Sequence, residues 1–91
     1  MKAPMELELY FFDNIRSTIG IFPKKVDIGV DGEYVFALVD LRNSKKHAMY
    51  SITISELNKL DEIGKKEGYY FSLSVDDKFT LKLIYEKEEV K

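Results

Sequence analysis

The chain has 91 residues, 45% of them hydrophobic and 33% charged, with a formal net charge of −2. A chain this short buries a modest share of its surface on folding, so a single domain with one core is expected. The composition excludes a disordered chain, and the charge gives no global attraction to phosphate backbones.

There is no cysteine, which removes disulfides, zinc–thiolate sites and thiol nucleophiles together. No apolar run approaches the ~20 residues of a membrane-spanning helix. Met1-Lys2-Ala3-Pro4 leads into alternating residues rather than a signal-peptide core, so a cytoplasmic location is the expectation. Glutamine and tryptophan are absent, and twelve of the fourteen basic residues are lysine, a thermophile-like composition.

In chain order, the first pattern has period two. Met5, Leu7, Leu9 and Phe11 fall on one face with Glu6 and Glu8 opposite, which predicts a strand. Asp13-Asn14 then reads as a turn, with Ile15, Ile19 and Ile21 on a returning strand. A short helix from Asn14 to Ile19 is the competing reading.

After Pro23, Val26, Ile28 and Val30 alternate with Asp27, Gly29 and Asp31. Asp31-Gly32 predicts a two-residue turn, because both of its residues tolerate positive φ. That register pairs Val30 with Glu33, Ile28 with Val35 and Val26 with Ala37. One face then carries Val26, Ile28, Val30, Val35, Ala37, Val39 and Leu41. The other carries Asp27, Gly29, Tyr34, Phe36, Leu38 and Asp40.

A basic loop, 42–47, leads to a further alternating run at Ala48, Tyr50, Ile52 and Ile54. Pairing Val39 with Tyr50 and Ala37 with Ile52 would extend the sheet. Ser55 suits a helix N-cap, Leu57, Leu60 and Ile63 form an apolar stripe, and Gly68 fits the C-terminal cap. A last hairpin with Asp76, Asp77 and Lys78 in its loop pairs Val75 with Phe79, Leu73 with Leu81 and Phe71 with Leu83. Residues 86–91 read as a charged tail. The fold expected is α+β: an antiparallel sheet of five to seven strands with one helix, at about 55–67, packed on one face.

Catalytic material is sparse. His47 is the single histidine and sits in a basic loop with no nucleophile suggested nearby. Asp31 is accounted for by the turn, and no carboxylates show calcium-loop or catalytic spacing. A non-enzymatic protein with no cofactor and no metal is expected. Tyr34, Phe36, Leu38 and Met49 form an apolar patch opposite the predicted helix, which requires a cover. Leu7, Leu9, Ile19 and Ile21 could cover it internally, as could a second subunit. Alternatively, nucleic-acid bases could stack on Tyr34 and Phe36, with Lys24, Lys25, Arg42, Lys45 and Lys46 holding phosphates.

The run KKVDIGVDGEYVFALVDLRN, followed by HAMYSITISELNKLDEI, resembles the positive cofactor four family of single-stranded-DNA-binding transcription coactivators. The resemblance covers residues 24–63: a hairpin followed by Asp40 and Arg42, then a strand running into a helix at Ser51–Leu57. It implies a homodimer whose curved sheet binds unpaired strands, with Tyr34, Phe36, Arg42, Lys45 and Lys46 near that surface. The chain departs from the family in lacking its helix tryptophan and strong basic character, and in its hairpin at 69–85. Three strands, a helix and two strands also fit an OB-like barrel. The functional expectation is a single-stranded nucleic-acid binder, possible roles being a transcription or replication accessory. The alternative is an interaction or inhibitor module that binds a partner protein through its sheet.

Overall fold

A computed structural model describes residues 3–42, 52–77 and 79–88, with backbone alone at 75–77. The first element is a helix, not a hairpin: α1 runs from Pro4 to Ile19. Leu7, Phe11, Ile15 and Ile19 recur every four residues and are all buried, a helical stripe hidden within an apparent alternation. The boundaries agree with this, since Pro4 occupies the first turn, where its missing N–H costs nothing. Gly20 closes the helix at φ 75°, its N–H donating to the Arg16 carbonyl. The expected N-terminal strands are therefore corrected to a single helix.

Strands β1 (Lys25–Ile28) and β2 (Tyr34–Asp40) pair antiparallel, with Val26 opposite Ala37 and Ile28 opposite Val35 as the turn signal implied. Asp31 and Gly32 form the expected turn, closed by the Glu33 N–H donating to the Val30 carbonyl. Val30–Gly32 forms one 3-10 turn with Asp31 at φ 55° and Gly32 at φ 70°, and Val30 is exposed rather than on the core face. The second helix, α2 (Ile54–Lys65), starts at Thr53 rather than Ser55. Thr53 and Glu56 form a reciprocal capping box that satisfies two backbone N–H groups. Ile54 is thus helical, and Ala37 pairs with Val26 and Leu83 rather than with Ile52 as expected; Ala48 and Tyr50 lie outside the described residues.

Strands β3 (Tyr69–Asp77) and β4 (Thr80–Lys87) form the last hairpin, and β4 takes the place beside β2. Phe71 pairs with Tyr85, Leu73 with Leu83 and Val75 with Leu81, two residues from the expected register. An even shift preserves the faces, because side chains alternate with period two. The extra length is absorbed by an irregularity between Val75 and Asp77. Glu86 and Lys87 belong to β4 rather than to a tail, opposite Tyr70 and Tyr69.

Among the described residues the sheet has four strands, in the order β1-β2-β4-β3, with two helices on one face. The expectation of five to seven strands and one helix is corrected accordingly; the α+β class and antiparallel sheet stand. The arrangement is two αββ units joined through the β2–β4 seam. The core lies between sheet and helices: Val35, Ala37, Val39 and Leu41 from β2 and the residue after it, Leu81, Leu83 and Tyr85 from β4, and Phe11, Ile15, Leu60 and Ile63 from the helices. Tyr85 is fully buried, and its hydroxyl donates to the Leu60 carbonyl at 2.8 Å.

Gly64 permits α2 to sit this close to the sheet. A Cβ there would lie 2.4 Å from the Tyr85 Cδ1. In Gly64→Ala the helix-propensity gain of up to ~1 kcal/mol opposes an overpacking cost of about 1–3 kcal/mol against a ring that has nowhere to move. The variant is expected to be less stable, read as a lower urea midpoint at unchanged m-value.

Candidate functional site

Among the described residues no element packs on the face opposite the helices. The two registers place side chains on it in rows: Lys25, Leu38, Lys82 and Ser74; then Asp27, Phe36, Ile84 and Ser72; then Tyr34, Glu86 and Tyr70. Leu7 and Ile19, once expected to cover this patch, are buried on the other side of the sheet. Tyr34 remains 47% exposed and Tyr70 61%.

The aromatic end of this face is a groove of about 760 Å³ lined by Tyr34, Phe36 and Ile84 and bordered by Asp27, Glu33, Glu86 and Glu88, with Lys87 the one cation. Several contacts hold its shape. The Tyr34 ring lies on the backbone of Gly29, where a Cβ would come within 2.3 Å of the ring. The end of β4 is clamped on both sides, Lys87 N–H donating to the Glu33 carbonyl and Glu88 N–H to the Gly68 carbonyl. The Glu88 carboxylate accepts from the Tyr70 hydroxyl, and this interaction raises the phenol pKa above its ordinary value. Four carboxylates thus surround an apolar aromatic floor, an arrangement that attracts cations and repels phosphate.

The sequence-derived site residues are divided between the two ends of the face. Tyr34 and Phe36 lie together in the groove. Lys25 sits toward the other end and pairs with Asp27 at 3.0 Å. Lys24 lies beside it, its N–H donating to the Leu38 carbonyl. Arg42 is engaged with Asp40, its Nη2 2.6 Å from the carboxylate and its backbone N–H also donating. Those two hydrogen bonds hold the Asp40 pKa down at about 2. Lys45, Lys46 and His47 lie outside the described residues, as does Met49.

Sequence reasoning missed Tyr70, Ile84, Glu33, Glu86 and Glu88. Ile84 and Tyr70 follow from the alternation of the last hairpin once β4 is set beside β2. Glu86 was concealed by its reading as tail. Among the described residues no group of three or more histidine or carboxylate side chains is placed to hold a metal ion. Nor is any helix among them long and apolar enough to cross a membrane. Comparison of the chain with protein-family models, with curated proteins and with solved structures finds no match.

Proposed function

We propose that this protein is an interaction module that docks a basic, partly apolar surface of a partner protein on the open face of its sheet. The observation carrying this reading is the acid-bordered aromatic groove around Tyr34 and Phe36. Exposed aromatics with a charged rim are the usual anchors of protein recognition, and four carboxylates make cationic partners the complementary class. A lysine or arginine side chain set over the exposed Tyr34 ring would be held by a cation–π contact.

A second reading, single-stranded nucleic acid, draws support from the other end of the face, where Lys24, Lys25 and Lys82 flank Leu38. The resemblance of residues 24–63 to the positive cofactor four family agrees with it. In this reading phosphates track the basic row, and the stacking surface is Tyr34 and Phe36.

One titration separates the two. Isotope-labelled protein is mixed with an arginine- and phenylalanine-containing peptide, and separately with a mixed-sequence single-stranded oligonucleotide, at low and moderate salt. The peptide is expected to shift the amides of Tyr34, Phe36, Ile84 and Glu86. Gly29→Ala, which displaces the Tyr34 ring without touching the core, is expected to weaken this binding by about tenfold or more, the scale of an interface anchor. Oligonucleotide binding that falls steeply with salt and shifts Lys24, Lys25 and Lys82 would instead establish the nucleic-acid reading. No shift with either ligand would remove the face as a docking surface.

A further inference from the structure

The two edges of the sheet are built differently. The β1 edge is four residues long, follows Pro23, and carries the Lys25–Asp27 ion pair, all features that discourage another strand from pairing. The β3 edge is nine residues long. Its run Tyr69-Tyr70-Phe71-Ser72-Leu73-Ser74-Val75 contains no charge, no proline and no glycine. Such a run has high strand propensity and nothing to repel an incoming strand. Among the described residues β3 pairs with β4 alone, leaving the backbone groups of its outer side directed away from the sheet. Charge and irregularity are confined to its end, at Asp76 and Asp77, and natural proteins leave an uncharged run this long on an edge where a strand is meant to add to it.

We infer that the occupant is a second copy of this chain, and that β3 pairs antiparallel with β3 of that copy across a two-fold axis. The uncharged run is complementary to itself: in an antiparallel pair centred on Ser72 or Leu73, no like charges oppose one another within it. Exposed Ser72 meets its own copy in the first register and Ser74 of the second copy in the other, on the face opposite the helices. Phe71 and Leu73, half-buried on the helical side, lie over the seam and are covered by the second copy. A net charge of −2 per chain offers little long-range repulsion between copies. A two-fold interface of this kind closes on itself, because the other sheet edge among the described residues is blunted, so pairing stops at two copies and joins their four-stranded sheets. The inference is independent of which ligand the open face takes, since it rests on the β3 backbone rather than the groove.

Sedimentation equilibrium over a wide range of protein concentration tests it. The wild-type chain is expected to dimerise reversibly, and the double variant Ser72→Lys, Ser74→Lys to be monomeric with unchanged far-ultraviolet circular dichroism. Opposed lysines across the two-fold axis should weaken the dimer by about a hundredfold. Hydrogen exchange on the wild-type chain supplies a reading that needs no variant. Alternate β3 amides, those directed outward, should be protected at high concentration and lose protection on dilution, while amides of β2 stay protected throughout. A wild-type monomer at the highest concentration overturns the inference. So does a dimer whose dissociation constant the two lysines leave unchanged, or β3 protection that does not vary with dilution.

Discussion

Phe11→Ala is expected to lower the melting temperature by roughly 15–30 °C, whereas Leu9→Ala, two residues away, should shift it by only a few degrees. Phe11 has no solvent exposure, and its ring meets those of Tyr10, Tyr69 and Tyr85 at centroid distances of 5.2, 5.7 and 4.7 Å. Truncating a buried phenylalanine costs about 3–5 kcal/mol, as lost transfer energy plus the cavity left among rigid neighbours. A domain of this size has a total stability of roughly 5–14 kcal/mol, so the loss is a large fraction of it. The temperature shift follows from ~4–8 °C per kcal/mol for a small domain. Leu9 is 56% exposed on the outer side of α1 and has little to lose. The pair separates the helix from the strand first expected there: alternation sets Leu9 and Phe11 on the same face and predicts similar costs. Equal shifts in calorimetry would contradict the helix.

Above pH 10 stability should fall steeply, and Tyr85→Phe should flatten that fall. Burial first, then the charges of Tyr10 and Asp61, push the Tyr85 phenol far above its ordinary value of 10. Tyr10 and Tyr69 are raised too, each by burial first and then by Glu67. A raised phenol pKa means that the folded state holds its proton where the unfolded chain releases it. Its contribution is therefore complete below pH 10 and is lost as pH climbs above 10 toward the folded value. For Tyr85 the loss approaches about 1.4 kcal/mol per pH unit. At neutral pH the Phe variant should be less stable by about 1 kcal/mol, having lost the hydrogen bond to the Leu60 carbonyl. At high pH the two curves should converge and then cross. Urea denaturation between pH 8 and 11, followed by circular dichroism, reads both effects, and parallel curves would refute the role given to Tyr85.

Legibility from sequence varied with the physics of each element. The β1–β2 pairing could be read because Asp31-Gly32 satisfies a local backbone demand for positive φ, which neighbouring residues alone determine. The α1 helix was misread because Met5, Leu7, Leu9 and Phe11 satisfy period two while Leu7, Phe11, Ile15 and Ile19 satisfy a four-residue spacing. Burial decided between them: Met5 and Leu9 are exposed, and the second set forms the core. Placement of β4 beside β2 is a non-local choice that alternation cannot make, since any apolar strand presents a suitable face. The site was half legible for the same reason. Tyr34, Phe36 and Asp27 could be assigned to one face from their own hairpin, but Glu86 and Glu88, which complete the acidic border, come from β4 and the residue after it. Half of the groove's acidic border was therefore invisible until those strands were set side by side.

The paired αββ units look like modules, but the seam between them argues otherwise. β2 and β4 are bonded from Tyr34 opposite Glu86 to Asp40 opposite Thr80, and each contributes its inner face to the same core. The Tyr85 ring of the second unit lies against Phe11 of the first. Separating the units would expose both inner strands and leave each helix over half a core, so neither half has a stable state to occupy by itself. The molecule is therefore thermodynamically indivisible: its repeat is a matter of geometry, and near- and far-ultraviolet signals should be lost together in one transition.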